Sequence, residues 1–543
     1  MSADAVRTEI VGTPDVLIVG GGLAGLSCAA FLGMQGVKTV LVERRSSTSI
    51  YPKAAGQNPR TMELFHFAGL ADAVLAVDDI RGGAGEFSIK VVETIPGRVL
   101  HSFAESFDEL AGATKACSPR PWGMVAQDKL EPVLLDAARR SSVDVRFNTT
   151  LSRLVVEPTG EVSAHVQTSE HEQKVICPRY VVAADGPNSA IRRSLNIDRH
   201  GQGLISEFVT MLFEADISDF VGSDSTGWYY IQNDTFRGNF GPTDTPGRYT
   251  FYVESSSQTG AVDSARCVEL LRLALEAPDL EPDVLDVQSW DMAAHVANRW
   301  RDGPVLLAGD AAKVTPPTGG MGGNSAVGDA FDIAWKLASV IHGGAGDRLL
   351  DSYALERRDA AELVVQESMA IYAQRMAPHL QKKIGPPRGQ ATVLLGSRCR
   401  SEAVVADAQD DEMCEDPSTS TGRAGFRAPH VWIEKDGQRL STIDFFGLRW
   451  VVLVAQNAPY GWTHVVDQVT DELGVPLVLH RNGIEWTDID DQVDERFGLE
   501  GSGVSLIRPD GVVAWRTGAN SWSTERCSRE LCSVLTRVLS IDA

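Results

Sequence analysis

The stretch DVLIVGGGLAGLSCAAFLGMQGVKTVLVE, residues 15–43, decides the fold. Residues 15–20 form a continuous apolar run, as in a strand buried on both faces of a parallel sheet. Gly20-Gly21-Gly22-Leu23-Ala24-Gly25 then fits G-x-G-x-x-G. Residues 26–34 read as a helix, with small Ala29 and Ala30 suited to close packing and Gly36 ending it. A second apolar strand, residues 38–42, closes on Glu43. The whole is a βαβ unit with an acid about 20 residues beyond the glycines. Missing side chains let a pyrophosphate approach the backbone, and the helix N-terminus stabilises its charge. Glu43 can accept hydrogen bonds from ribose hydroxyls. The alternative is a glycine-rich turn with no ligand; strand, helix and acid together favour the dinucleotide.

Two later stretches repeat the pattern of a buried strand ending in glycine and acid. In RYVVAADGPNSAIR, residues 179–192, a strand over 180–184 meets Asp185-Gly186 before a helix from Ser189. Alone, this reads equally as a plain turn and helix cap. In GDAAKVTPPTGGMGGN, residues 309–324, strand 305–308 ends at Gly309-Asp310, and a helix is expected over 325–341. Open α/β sheets bind ligands at such strand ends. Three of them point to one extended, phosphate-bearing ligand. Pro316 and Pro317 stiffen the third loop, and Gly319, Gly320, Gly322 and Gly323 clear it of side chains, so that it can lie against a flat ring.

The chain has 543 residues, enough for three or so domains at roughly 150 residues each. Its net charge of −23 disfavours nucleic acid and anionic membranes, though it can equally serve solubility alone. No apolar run is long enough for a membrane span, and the N-terminus lacks a secretory apolar segment. The eight cysteines form no C-x-x-C pair and no zinc-spaced cluster, so no metal is expected. A reduced, cytoplasmic setting follows as the expectation.

The three motifs, in this order and spacing, resemble the FAD-dependent aromatic hydroxylases related to para-hydroxybenzoate hydroxylase. The likeness covers nearly the whole chain and is greatest to the larger bacterial members that tailor aromatic polyketides such as anthracyclinones. YPKAAGQNPRTMEL (51–64), QDKLEPVLL (127–135), TGWYY (226–230), residues 309–324 and YAQRMAPH (372–379) carry it. The resemblance implies that Gly20, Gly22, Gly25, Glu43 and Arg44 form the ADP half of an FAD site. It places Asp185, Gly186 and Arg192 near the pyrophosphate and the nicotinamide path. Asp310 would bond the ribityl chain, and Gln127 would touch the cofactor. Pro317, Gly320, Gly322, Gly323 and Asn324 would surround the isoalloxazine. Lys53 stands where many relatives have arginine, keeping the charge without the planar fork. Arg60 lies in a shared segment and has no assigned role.

The activity implied is a monooxygenase. NADPH or NADH reduces FAD, O2 adds to give a flavin C4a-hydroperoxide, and a phenol-like ring takes the distal oxygen. The substrate is a small aromatic molecule: a polyketide, or alternatively a smaller phenol or hydroxypyridine. A flavin dehydrogenase or oxidase, and a ligand-sequestering protein, are the competing functions. Residues 208–251 alternate and are rich in aromatics, suggesting an antiparallel roof over substrate. Tyr229 and Tyr230 face opposite sides of such a strand, so one can meet substrate while the other packs; the alternative for either, and for Trp228, is that it simply fills the core, and Phe240 and His379 are lesser candidates. Arg375, on a helix over 354–376, would favour a phenolate, or else pairs with Glu367. Pro317 would line the same cavity.

The expected architecture is α/β. A Rossmann-like FAD-binding domain takes residues 1–75, 110–195 and 290–345, and an inserted antiparallel substrate domain takes 76–109 and 196–289. A helical segment follows at 346–384, then a linker at 385–424. Residues 425–543 resemble a thioredoxin-like domain without its redox cysteines, since Gln456-Asn457-Ala458-Pro459 occupies their place. A monomer or homodimer is expected.

Overall fold

The structure, a computed structural model, describes residues 9–53, 56–78, 88–104, 107–217, 220, 227–243, 245–255, 262–407, 411–518 and 522–541. Ala54 and Ala55 of the 51–64 segment, Thr226 of TGWYY and Asp410 of the acidic 407–412 run lie outside them.

The apolar runs form a six-stranded sheet in the order Arg301–Asp302, Val305–Leu307, Tyr180–Ala183, Val16–Val19, Thr39–Val42, Asp144–Arg146. All its pairings are parallel except the short first one. Val16, Leu17, Ile18, Val181, Val182, Leu306 and Leu307 are all fully buried, as continuous apolar strands must be. Helix Leu23–Met34 crosses from the first motif strand to the second and packs on helices Gln127–Arg140 and Met321–Ile341. A small sheet, Glu9–Gly12 with Gln173–Ile176, Val162–Thr168 and Thr149–Val156, lies in the same part of the chain.

Above this stands an eight-stranded sheet, ordered Lys313–Val314, Asp283–Ala297, Arg199–Glu214, Arg248–Ser255, Arg237–Pro242, Trp228–Gln232, Ile89–Val92, Val99–Ala104. It is antiparallel as expected, except that Trp228–Gln232 runs parallel to Ile89–Val92. Its two longest strands pair from Arg199↔Ala297 to Glu214↔Asp283. Asp283–Ala297 therefore runs unbroken through the border set at residue 290. The ladder of backbone hydrogen bonds, which residue type marks weakly, decides where that strand ends. One face of the sheet is filled by helix Ser264–Leu275, making a second apolar core.

Helix Met321–Ile341 begins one turn before the expected Ser325. Gly320, at φ 62°, caps it, and the Gly322-Gly323 pair is drawn into its first turn. Helix Leu349–Arg375 follows it. The segment expected as linker is not merely loop: it holds helix Gln390–Leu395, and Gln390 Nε2 donates to Gly319 O at 3.2 Å.

The C-terminal part contains a sheet ordered Leu477–Arg481, Trp450–Val454, Val504–Ile507, Val513–Thr517. The first pair is parallel and the other two antiparallel. Helices Trp462–Leu473 and Thr524–Val538 pack together beside it. The RPDG turn closes the hairpin, with Arg508 N donating to Val512 O at 2.8 Å. Among the described residues no helix is long and apolar enough to cross a membrane.

Candidate active site

The three glycine–acid motifs converge because their strands are neighbours in one parallel sheet. Val16–Val19 lies between Tyr180–Ala183 and Thr39–Val42, and Val305–Leu307 flanks Tyr180–Ala183. Their C-terminal ends deliver Gly20, Asp185, Glu43 and Asp310 to one edge. At Gly20, φ 111°, a Cβ would lie 2.2 Å from Ala184 O; at Gly25 it would lie 1.9 Å from Gly20 O. The loop is thus wound too tightly for any side chain at either position. Gly22 is different: the nearest atom to a Cβ there is Glu131 Oε1 at 4.0 Å, so this side of the loop is open.

Glu43 accepts from Gly21 N at 2.6 Å and Arg45 N at 2.8 Å, which holds its carboxylate beside the glycine loop. Arg44 is exposed next to it. Gln127 opens helix Gln127–Arg140 and donates to Glu131 Oε1 at 2.6 Å. Glu131 also accepts from Ser49 N at 2.7 Å. It is buried, and that burial raises its pKa against the pull of those two hydrogen bonds. Sequence reasoning missed it; its one signal was its place in QDKLE, a turn after Gln127.

Asp185 accepts from Ile191 N at 3.2 Å through one oxygen; the other, Oδ1, is buried with no partner among the described residues. Gly186 follows at φ 84°. Arg192 donates to Ala311 O at 3.2 Å, tying this motif to the turn Gly309–Ala311. Gly309 adopts φ 58°, and its Cα faces helix Leu23–Met34 so closely that a Cβ would lie 2.7 Å from Ala24 Cβ. Asp310 opens into the crevice, yet protein surrounds its carboxylate. That enclosure raises its pKa, opposed by Lys313 and Lys53. Lys53 is exposed in the same crevice; its pKa is lowered by enclosure and by Arg45, against Glu131, Asp310 and Asp286.

In the proline–glycine loop Pro316 is buried and Pro317 exposed. Pro317 O accepts from Gly320 N at 3.1 Å, and Thr318 Oγ1 donates to Ser368 O at 2.7 Å. Gly320 is exposed, and half-buried Gly322 and Gly323 present first-turn amides that have no intrahelical acceptor. Asn324, the last residue of the expected loop, also braces it. Its side chain is spent on backbone, accepting from Asn58 N at 2.9 Å and donating to Gly56 O at 2.9 Å and Gly320 O at 2.7 Å. It holds the loop rather than reaching outward.

A dinucleotide with a flat ring fits this crevice. It offers an open glycine loop, a buried Asp185 oxygen with no partner among the described residues, Asp310 and Lys53 within electrostatic reach of each other, and a helix N-terminus behind a side-chain-free loop.

The eight-stranded sheet separates the two tyrosines. Tyr229 belongs to the second core, against Phe240 at 6.2 Å between ring centroids, in the layer covered by helix Ser264–Leu275. Its expected catalytic role is therefore corrected: it faces away from the crevice, and so does Phe240. Tyr230 faces the other way. Its hydroxyl accepts from Arg375 Nη1 at 3.3 Å, and the guanidinium lies over the rings of Phe103 and Tyr230 at 5.1 and 5.8 Å. Arg375 Nε is buried and has no acceptor among the described residues. The competing pairing with Glu367 does not form, because Glu367 accepts from Arg388 N and Gly389 N instead. Gln232 fixes the helix end by donating to Arg375 O at 2.8 Å.

Cross-strand pairing puts Trp228, Tyr252 and Asp286 on the Tyr230 side. Tyr372, one turn before Arg375, has its pKa pushed up to about 12 by burial and then by Glu254. Tyr51 is buried, and its pKa is raised by burial and then by Asp286. Neither Tyr51 nor Asp286 was legible as a site residue, since Asp286 comes from an unremarkable strand. His379 is exposed in the turn Pro378–Leu380. Among the described residues no group of acids, histidines and cysteines could hold a metal ion.

Comparison with known proteins matches these regions. Residues 13–368 fit the family model of an FAD binding domain, and residues 421–540 that of the aromatic-ring hydroxylase C-terminal region. The chain is 57% identical to an aklavinone 12-hydroxylase of Streptomyces peucetius, covering 81% of this chain and 91% of that one. It is 48% identical to an aklavinone 12-hydroxylase of Streptomyces purpurascens, over 97% and 98% of the two chains. Among solved structures, aklavinone-11 hydroxylase in complex with FAD and aklavinone superposes with a TM-score of 0.93 at 47% identity, covering 97% of this chain and 99% of that one.

Proposed function

The chain belongs to the FAD-dependent aromatic-ring hydroxylases, and on that footing we propose that its substrate is a tetracyclic aromatic polyketide of the aklavinone type. The observation that carries the reading is Arg375. It is a half-buried guanidinium with, among the described residues, no carboxylate partner and no acceptor for its Nε, and with a tyrosine hydroxyl at 3.3 Å, on the aromatic face of the roof.

Bound FAD supplies hydride acceptance from NADPH or NADH and the activation of O2. The chain supplies the rest. Glu43, Gln127 and the open side of the Gly22 loop hold the adenosine and pyrophosphate half, with Asp185 Oδ1 as an unused acceptor. Asp310 and Lys53 hold the ribityl region. The first-turn amides at Gly322 and Gly323, with the helix dipole behind them, stabilise negative charge on the ring edge. Pro317 and the aromatic roof exclude water from that ring.

Arg375 stabilises the substrate's phenolate and so raises the carbon nucleophilicity of its ring. Tyr230 accepts from Arg375, which leaves the tyrosine's own proton free to be donated to the substrate oxygen. Trp228 and Tyr252 supply flat apolar area for a polycycle. In the C-terminal part, strand order and direction with two flanking helices support a thioredoxin-like domain. It carries no cysteine in the 456–461 loop, which supports a structural part for it rather than disulfide chemistry.

The test is turnover with aklavinone-type polyketides and with small phenols and hydroxypyridines under oxygen-18 gas, read by mass spectrometry. One labelled oxygen in the polyketide supports the proposal. Label appearing only in the smaller rings, or nicotinamide oxidation with no labelled product, overturns it.

A further inference from the structure

We propose that the C-terminal domain is a clamp on the flavin site, and that Arg508 is its positioning residue. The inference rests on the crevice holding FAD as described above.

Arg508 sits at the start of the RPDG turn and is fully buried. Its fork grips Glu356 through two bonds of 2.7 and 2.9 Å and is itself held by Asp510 at 2.5 and 3.1 Å. It lies 3.7 Å from Asp332 and over the Trp335 ring at 5.2 Å. Lys336 is shared between Asp332 at 2.9 Å and Glu356 at 3.0 Å, so Glu356 depends on Arg508 for its second cation. Burial alone would raise the pKa of Glu356; Arg508 and Lys336 more than offset it and hold the carboxylate charged. Glu356 lies on helix Leu349–Arg375, while Asp332, Trp335 and Lys336 lie on helix Met321–Ile341. One side chain of the C-terminal domain thus locks both helices that carry the site.

The lock reaches the crevice in one covalent step. Arg357, next to Glu356, donates to Asp329 Oδ1 at 2.9 Å and to Ser325 O at 3.2 Å. Asp329 accepts from Lys313 Nζ at 2.9 Å and from Gly309 N at 3.2 Å, the residue before Asp310. Below Asp310, then, two groups of buried and part-buried charges, joined through the backbone at Glu356-Arg357, lead to the C-terminal hairpin.

A second grip meets the first at Asp510 and otherwise uses different residues. Helix Pro59–Phe67 turns Arg60, Glu63 and His66 toward the C-terminal domain. Arg60 donates to Asp510 O at 2.6 Å, Arg427 forks onto Glu63 at 2.5 and 2.9 Å, and His66 meets Asp444 at 3.1 Å. The N-cap of that helix, Asn58, donates its N–H to Asn324 at the start of the flavin-loop helix. This gives Arg60 the role its sequence left open.

The experiment compares full-length Arg508→Met, Arg508→Lys and Val465→Ala. Val465 is a fully buried residue of helix Trp462–Leu473 and serves as a destabilising control. FAD dissociation constants are measured by flavin fluorescence at a temperature where circular dichroism shows every variant folded. Product formed per nicotinamide oxidised is measured alongside. Arg508→Met is expected to weaken FAD binding about tenfold or more and to release more hydrogen peroxide per turnover, with KM for the aromatic substrate little changed. Arg508→Lys recovers part of both. Val465→Ala lowers the melting temperature and leaves both in place. FAD affinity and coupling in Arg508→Met that equal the parent, or fall no further than in Val465→Ala, overturn the proposal. If Arg508→Met does not fold, Arg508→Lys decides by the same criterion. A parent protein that binds no FAD sinks the cofactor reading instead.

Discussion

At the scale of single residues, two adjacent tyrosines separate chemistry from packing. Tyr230→Phe removes the acceptor for Arg375 and the donor to substrate; kcat is expected to fall about ten- to a hundredfold, the worth of one charge-assisted hydrogen bond. Tyr229→Phe acts in the second core, so stopped-flow kcat stays at the parental value while thermal stability drops by about 1 kcal/mol. Equal losses in both variants would contradict the geometry. Arg375→Met is expected to shift the kcat–pH profile toward alkaline pH by about one unit or more, because the substrate must then ionise without a cation beside it. A profile that keeps its shape would remove Arg375 from that role. Period-two alternation told that only one tyrosine could meet substrate, but not which. That depends on which face of the sheet helix Ser264–Leu275 covers, a tertiary fact with no local signature.

At the scale of elements, the turn Gly309–Ala311 is the most constrained piece of the site. Gly309→Ala places a Cβ at φ 58° and 2.7 Å from Ala24, so the turn must move. Strain of about 1–3 kcal/mol corresponds to roughly a five- to 150-fold loss of FAD affinity, measurable by flavin titration of the folded protein. Retained affinity would mean that Asp310 does not depend on this turn. The strand ends were legible because buried parallel strands read as unbroken apolar runs and ligand-binding turns demand glycine. Elements whose placement rests on long-range partners were not. The Gln390–Leu395 helix gave no clear periodic signal, yet it donates to Gly319. Asn324 was legible as part of the loop, but the bonds of its side chain were not, because the Asn58 N–H and the Gly56 carbonyl that meet it come from a distant segment.

At the scale of the whole molecule, the C-terminal domain imposes an acid limit on stability. His430 and His480 have their pKa values lowered from 6.5 to about 4, the first by burial and then Arg427, the second by burial and then Lys435. Between those values the unfolded chain takes up protons that the folded chain refuses. Stability is therefore full above pH 6.5 and falls as pH drops toward 4, by about 3 kcal/mol per histidine at most. Melting temperatures measured from pH 7.5 to 4.5 should trace that fall, and His430→Gln should flatten it; a flat profile in the parent would refute it. One more property follows from the two long paired strands, Arg199–Glu214 and Asp283–Ala297. At about 3.4 Å per residue they form a ribbon of roughly 50 Å. Near its lower end Val296 pairs with Lys313, three positions from Asp310. With FAD in the crevice, the ribbon would act as a ruler, its residue count setting the headroom between flavin and ceiling. Adding a matched pair of residues to each strand would lift the ceiling by one pleat and admit thicker or more heavily decorated polycycles without touching any group that reacts.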